Sequence, residues 1–215
     1  MEEKPDWLPG FPVQIYCNRM ESALDAERFY VEVLHITEKR LAEKLAKITE
    51  PVQLRKGEIL LHEGDVQDHF VFLTDGILRG FFLDANGRDV TDCFGCQCGT
   101  PAMSCFTNGE PSSISIEALT DCDLLQIPSD ALLTLMRNEP PLLWIYNELL
   151  QNALRSHWAI KTRVCQYTAM ECYKWFLEAY PGLIDKVSNK HIASFLGMTP
   201  VTLSRLRRVI REKQF

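Results

Sequence analysis

The stretch SNKHIASFLGMTPVTLSRLRRVIREKQF, residues 188–215, is the most informative part of this chain of 215 residues. Its first half places three apolar residues on one helical face: Ile192, Ala193 and Leu196. Gly197 follows directly, and glycine permits the left-handed backbone that a tight turn requires. Thr199 is a good helix N-cap, and Pro200 suits the first position of a new helix. The pattern predicts two helices that cross through a short turn, a helix-turn-helix.

The second of these helices has two chemically different faces. Leu203, Leu206 and Ile210 form its apolar face, and hydroxyl and guanidinium groups form the other. Such groups bind phosphates and base edges in a DNA major groove. The alternative is a solvated basic helix on an ordinary helical bundle. The residues predicted to bind DNA are Thr199, Pro200, Val201, Thr202, Ser204, Arg205, Arg207 and Arg208.

The charge distribution agrees with a nucleic-acid-binding end. Residues 1–150 hold 12 basic and 25 acidic side chains, whereas residues 151–215 hold 11 basic and 4 acidic ones. The net charge of −6 therefore averages an acidic body and a basic C-terminal module. A hydrophobic content of 46% excludes a disordered or fibrous chain. The acidic, proline-containing start is unlike a signal peptide, so a cytoplasmic protein without a membrane partner is expected.

The sequence pattern in the middle of the chain is typical of β-strands. From Val52 to Ile127, short apolar runs alternate with turn residues at intervals of roughly 8–12 residues. Asn86-Gly87 is the strongest of these turn signals and predicts a two-residue hairpin turn. The region is expected to form a small antiparallel barrel or sandwich.

A long helix is predicted to begin at Pro140-Pro141, because proline is tolerated in a first helical turn. Apolar residues run along it at near-heptad spacing: Leu142, Ile145, Leu149, Ala153 and Ile160. Such a stripe is typical of a helix that packs against a second copy of itself. The alternative is that the stripe packs on the β-structure of its own chain, since periodicity cannot name the partner.

This order of elements resembles the Crp–Fnr family of bacterial transcription regulators. KGEILLHEGD (residues 56–65), HFVFLTDGILRGFF (69–82) and ANGRDV (85–90) resemble the family's β-roll, and HIASFLGMTPVTLSRLRR (191–208) resembles its DNA-binding module. The resemblance implies an α+β fold: an antiparallel β-roll like a cyclic-nucleotide-binding domain, a dimerisation helix and a C-terminal helix-turn-helix. The expected boundaries are 1–138 for the effector domain, 139–165 for the dimerisation helix and 166–215 for the DNA-binding domain. The chain ends directly after the recognition helix, as in a branch of the family without a β-hairpin wing.

The resemblance also locates an effector pocket, but cyclic AMP is not expected in it. Relatives that bind this nucleotide hold its ribose with a glutamate and its phosphate with an arginine. Here Thr100 stands at the glutamate position, and Pro111 and Ser112 stand at an Arg-Ser pair. Proline cannot pair with a phosphate. The remaining pocket candidates are Gly99, Thr100, Ser112, Ser113 and Trp158, which either line a site for another small molecule or pack silently. Dimer-core packing is the alternative role for Trp158.

Four cysteines form the pattern C-x2-C-x-C-x6-C: Cys93, Cys96, Cys98 and Cys105. The spacing invites a metal or iron–sulfur interpretation. The iron–sulfur members of the family, however, place three cysteines near the N-terminus, where this chain has only Cys17. No iron–sulfur cluster is therefore expected, and buried reduced thiols are the alternative to a metal or redox role.

Enzymatic signatures are missing from the sequence. It contains no Gly-x-Ser-x-Gly elbow, no phosphate-binding glycine loop and no His-Glu-x-x-His. The sequence predicts a homodimeric regulator that binds a palindromic site on double-stranded DNA and responds to an unidentified small effector, with RNA polymerase as a candidate partner. The alternative is a ligand- or redox-sensing dimer that acts through protein partners.

Overall fold

The computed structural model describes residues 23–103 and 109–213. It opens with two helices, α1 (Ala23–Glu32) and α2 (Lys39–Ala46). The buried residues of α2 are Leu41, Ala42, Leu45 and Ala46. Their spacing of three or four places them on one face of the helix, which therefore packs inward.

Seven strands follow in the described residues: β1 (Glu50–Leu54), β2 (Ile59–Leu61), β3 (His69–Asp75), β4 (Leu78–Leu83), β5 (Asp89–Gly95), β6 (Ser115–Ala118) and β7 (Cys122–Pro128). They form a three-stranded sheet in the order β1–β7–β3 and a four-stranded sheet in the order β2–β6–β4–β5. The pairings of β7 with β1 and β3, and of β6 with β2 and β4, are antiparallel. The predicted α+β class with an antiparallel β-roll is confirmed.

The loop between β4 and β5 is longer than its sequence signal predicts. It spans residues 84–88, so five residues rather than two connect the strands. Gly87 has a φ of +71°, as the Asn-Gly signal requires. The Asp84 carboxylate accepts hydrogen bonds from the backbone N–H groups of Asn86 at 2.8 Å and Arg88 at 2.9 Å. These N–H groups, that of Arg88 foremost, hold the pKa of Asp84 below its usual range, and they brace the loop.

Six helices complete the described chain: α3 (Ser129–Asn138), α4 (Pro140–Gln166), α5 (Ala169–Ala179), α6 (Leu183–Lys186), α7 (Asn189–Phe195) and α8 (Pro200–Lys213). Two compact units result. One contains residues 23–82 and 92–150, and the other contains residues 83–91 and 151–213. The expected division at 1–138, 139–165 and 166–215 stays a prediction.

The long helix α4 has 27 residues, and its first apolar residues contact the core of their own chain. Leu142 is buried, and Ile145 and Leu149 pack against the core cluster to which α1 and α2 contribute. Leu142 is therefore not available to a second copy, whereas Ile145 and Leu149 are half-buried, and the predicted contact of the stripe with a second copy stays a prediction. Among the described helices, α4 included, none is both long and apolar enough to cross a membrane.

Candidate nucleic-acid interface

The C-terminal helices pack around a cluster of aromatic rings. Phe176 of α5 is fully buried, and its ring lies 5.2 Å from that of Tyr180 and 6.0 Å from that of Phe195. Trp175 adds its ring at 6.3 Å from Phe195. A capping box at Thr168 and Glu171 begins α5, with the Thr168 side chain accepting from the Glu171 N–H. The cluster forms the core of this C-terminal module, and α7 contributes to it through Phe195.

The turn between α7 and α8 has the geometry that the sequence predicts. Gly197 has a φ of +64°, and a Cβ built on it would lie 2.8 Å from the Cγ1 atom of Val164. The Thr199 hydroxyl accepts a hydrogen bond from the Thr202 N–H at 3.1 Å, which makes it the N-cap of α8. Pro200 is the first residue of that helix. Both the left-handed backbone and the close approach of Val164 therefore require glycine at position 197.

The second helix buries its apolar face and leaves the other open. Leu203 is fully buried, whereas Val201 is 60% exposed. An open depression on the surface of α8 is lined by Pro200, Val201, Ser204, Arg205 and Arg208. Thr199 is exposed and Thr202 is half-buried. Seven of the eight predicted DNA-binding residues thus lie on or beside one accessible face of α8.

Arg207 is the eighth, and its side chain has another contact. It is 21% exposed, and its Nη1 atom donates to the Asn189 Oδ1 atom at 2.8 Å. Its Nη2 atom lies 3.8 Å from the Asp185 carboxylate. Arg208, by contrast, is 75% exposed and pairs with Glu212 one turn later on α8. The two neighbouring arginines, which look equivalent in the sequence, therefore differ: Arg207 ties α8 to α7, and Arg208 faces solvent.

In the effector region, the predicted hydroxyl groups are engaged within the chain. Thr100 Oγ1 donates to the Gln97 carbonyl at 2.7 Å. Ser112 is buried; its hydroxyl donates to the Ile114 carbonyl and accepts from the Ile114 N–H. Pro111 is exposed and forms an isolated bridge with Val66. The hydroxyls of Thr100 and Ser112 therefore stabilise their own loops.

The other predicted pocket residues have separate surroundings. Gly99 has a φ of +87°, and a Cβ on it would lie 2.7 Å from the Cγ1 atom of Val33. Ser113 is exposed. Trp158 belongs to the other compact unit, where its side chain is 58% exposed and the Lys161 ammonium lies 5.2 Å from its ring centroid. A role of these residues in ligand binding stays a prediction.

The cysteines form no metal cluster within the described residues, where no group of three or more His, Cys, Asp or Glu side chains could hold an ion. Cys98 is disulfide-bonded, so the expectation of reduced thiols is wrong at this position. Cys93 and Cys96 are free thiols, and burial raises the pKa of Cys93 to about 12, which keeps it protonated and unreactive. Cys105 lies outside the described residues.

A buried charge in the β-roll was not predicted from the sequence. The Arg79 side chain on β4 is 1% exposed, its Nη1 atom lies 2.5 Å from the Glu117 Oε1 atom on β6, and its guanidinium lies 4.5 Å from the centroid of the Phe81 ring. Burial lowers the pKa of Arg79, and the hydrogen bond to Glu117 opposes that shift. The signal that could have revealed the pair is an arginine inside the apolar run ILRGFF, since a charge is rarely buried without a partner.

Residues 51–139 match the family model of the cyclic nucleotide-binding domain. No curated protein matches the chain in sequence. Among solved structures, FixK2 from Bradyrhizobium japonicum is 18% identical, with a TM-score of 0.69 over 78% of this chain and 86% of that one. The c-di-GMP responsive global regulator CLP from Xanthomonas campestris is 13% identical, with a TM-score of 0.67 over 82% and 93%. A regulator assigned to the Crp/Fnr family from Eubacterium rectale is 20% identical, with a TM-score of 0.64 over 86% and 88%.

Proposed function

Since this chain has the cyclic nucleotide-binding domain and the fold of the Crp–Fnr transcription regulators, we propose that it binds an inverted-repeat site on double-stranded DNA as a homodimer. The observation that carries the proposal is the accessible face of α8, on which Val201, Ser204 and Arg205 stand together. A guanidinium pairs bidentately with guanine, and a valine contacts a thymine methyl group. The basic balance of residues 151–215 supplies the attraction to phosphates.

The test is selection of binding sequences from a random pool of duplexes. A twofold dimer should recover an inverted repeat whose half-site centres lie about one helical turn, roughly 34 Å, apart. The affinity should fall steeply with salt, because phosphate contacts release counterions. Recovery of no inverted repeat would contradict the proposal.

The dimer contact is proposed to be an exposed seam on α4 that differs from the stripe predicted from the sequence. Trp144, Gln151, Trp158 and Cys165 follow each other at intervals of seven and are all exposed. The side chain of Trp144 is 73% exposed and that of Trp158 is 58% exposed. Leu143 and Leu154 are exposed beside them. Two indole rings on one helix face make an apolar patch that a second copy would cover, and heptad spacing suits a parallel helix pair.

We expect the protein to sediment as a dimer at micromolar concentration and Trp158→Ala to weaken that dimer by about 2 kcal/mol, about thirtyfold in its dissociation constant. The reason is that a large aromatic at the centre of an interface contributes much of its buried area. Asn152→Ala is the matched control, because Asn152 is exposed on α4 but lies on a different face of the helix from Trp158 and Leu143.

Mild oxidation should also link two chains through Cys165, since a parallel pair brings this residue beside its copy. A monomeric wild-type protein, or a Trp158→Ala dimer of unchanged affinity, would contradict the seam.

The proposed effector is a small molecule other than cyclic AMP. Pro111 offers no cation to a cyclic phosphate, and the Ser112 hydroxyl is already used by Ile114. An uncompensated anion next to buried backbone costs several kcal/mol. We expect titration calorimetry with cyclic AMP to give no binding in the micromolar range and the nucleotide to leave DNA affinity unchanged. A micromolar or tighter dissociation constant would show that other groups hold the phosphate.

A second candidate function is a redox-sensing dimer that acts through protein partners, which the Cys98 disulfide favours. RNA polymerase is a partner that either function could use. The two functions differ in DNA binding. A redox sensor without a DNA target would show no salt-dependent affinity for mixed duplex DNA, with or without reductant, whereas the proposed regulator would show it in at least one redox state.

A further inference from the structure

The start of β5, directly after the loop between β4 and β5, contacts the first helix of the helix-turn-helix. Residues 83–91, here called the hairpin tip, form one compact unit with residues 151–213. The Thr91 N–H donates a hydrogen bond to Ser194 Oγ on α7 at 2.9 Å. The Ser194 hydroxyl donates in turn to the Asp89 carbonyl at 3.4 Å. One hydroxyl therefore joins α7 to two backbone groups of the hairpin tip, and these lie 103 and 105 positions away in the chain.

A second contact lies one helical turn before the first. The Lys190 ammonium lies 3.9 Å from the Asp89 carboxylate, with 67% of the Lys190 side chain exposed. Lys190 and Ser194 are four residues apart and share one face of α7, while Asp89 and Thr91 share one side of β5. Because Lys190 is exposed, its ion pair contributes little. Thr91 is buried, with 4% of its surface exposed, so its bond to Ser194 is better shielded from water than the ion pair.

The helices α7 and α8 are packed against each other. Ile192 and Ala193 of α7 are fully buried, as is Leu203 of α8. The Arg207 guanidinium donates to Asn189 at the start of α7, which adds a polar link between the two helices. A hydroxyl that holds α7 therefore also holds the accessible face of α8.

We propose that Ser194 is a positioning residue: its bonds to the hairpin tip hold the helix-turn-helix of each protomer in the orientation that two-half-site DNA binding requires. The inference rests on the proposed function. A dimer reads an inverted repeat only when its two recognition helices stand one helical turn apart, and orientation fixed before binding saves ordering entropy. The tip is suited to this role, because Asp84 braces its loop through two backbone hydrogen bonds.

The experiment compares Ser194→Ala with wild type on a selected inverted repeat and on a duplex with one half-site. We expect the affinity for the inverted repeat to fall about tenfold, since each protomer loses the bond from the Thr91 N–H and the longer bond to the Asp89 carbonyl. The half-site affinity should stay within about twofold, because Ser194 lies outside the predicted DNA-binding face. Amide hydrogen exchange of Thr91 should accelerate, as its N–H loses its acceptor.

Two further variants separate positioning from stability. Ser194→Thr keeps the hydroxyl and should restore both the ratio of the two affinities and the slow exchange at Thr91. Ser188→Ala removes a hydroxyl from the same helix, where it accepts from the His191 N–H as the N-cap. It should weaken α7 but leave the exchange at Thr91 and the ratio of the affinities unchanged.

The outcomes are distinguishable. If Ser194→Ala accelerates amide hydrogen exchange at Thr91 but leaves the ratio of inverted-repeat affinity to half-site affinity unchanged, the bond is only a structural contact. That result would overturn the inference. Unchanged exchange at Thr91 would show that the bond does not protect this amide, and it would overturn the inference as well. A wild-type protein that binds no DNA would overturn the proposed function and the inference together. If Ser188→Ala lowers the ratio of inverted-repeat affinity to half-site affinity as much as Ser194→Ala does, the effect comes from helix stability and the inference is overturned.

Discussion

Replacement of Phe176 by alanine is expected to destabilise the C-terminal module by about 3–5 kcal/mol. The side chain is fully buried, and the rings of Tyr180 and Phe195 lie 5.2 and 6.0 Å from it. Loss of the ring removes buried apolar area and leaves a cavity that the stiff neighbouring rings cannot fill. Because α5 and α7 contribute to this core and α8 packs against both helices, DNA binding should be lost at temperatures where the wild-type protein still binds.

Urea unfolding monitored by tryptophan fluorescence measures the effect, since Trp175 reports on the same cluster. Phe176→Leu is the matched control. It should lower the free energy of unfolding by less than about 1.5 kcal/mol, because leucine retains most of the side-chain volume. The chain has two compact units, so the transition of the C-terminal unit should shift while that of the β-roll unit stays in place. A shift of less than about 1 kcal/mol in Phe176→Ala would show that the ring cluster does not stabilise the module.

Replacement of Arg205 by alanine is expected to weaken the free energy of DNA binding by about 1–3 kcal/mol for each half-site, and by about twice that on an inverted repeat. Arg205 lies on the accessible face of α8 with Val201 and Ser204. A guanidinium there can pair with guanine in the major groove, so its loss should also relax the preference at one position of each half-site. Binding-site selection with the variant measures both effects.

Arg208→Ala is the control that separates base reading from phosphate binding. Arg208 lies on the same helix and is 75% exposed. Its loss should weaken binding to all sequences about equally and reduce the slope of affinity against salt by about one unit. An Arg205→Ala protein with an unchanged sequence preference would show that α8 does not read bases through this residue.

Short-range signals were the part of the fold that could be predicted correctly from the sequence. The N-cap at Thr199, the first-turn proline Pro200 and the turn at Gly197 all occur where the sequence predicts them. Their meaning depends on the backbone angles of a few neighbouring residues, and those angles are restricted by the residue type itself. The alternation of apolar runs and turns likewise predicted a small antiparallel barrel or sandwich, because turn residues mark the ends of short strands, and the resemblance to the Crp–Fnr family then implied a β-roll.

The effector region was predictable only in part. Pro111 and Thr100 differ from the residues of nucleotide-binding relatives, and this difference follows from the sequence alone. The hydrogen bonds between the Ser112 hydroxyl and Ile114 depend on the backbone of the local turn, which the sequence pattern does not specify. The disulfide at Cys98 was missed as well, since spacing along the chain says little about which sulfur atoms meet.

The sequence by itself determined most of the elements, their order and the apolar residues of the helix-turn-helix, because these follow from local periodicity and from the conformational limits of glycine and proline. The tertiary structure alone decided which partner covers each face. It buried Leu142 of α4, packed Ile145 and Leu149 partly against the core of the chain, and left Trp144 and Trp158 exposed. It also decided that Arg207 donates a hydrogen bond to Asn189 and that Ser194 accepts one from the Thr91 N–H. Contacts of this kind depend on where distant segments come to lie, and a periodic pattern carries no information about that distance.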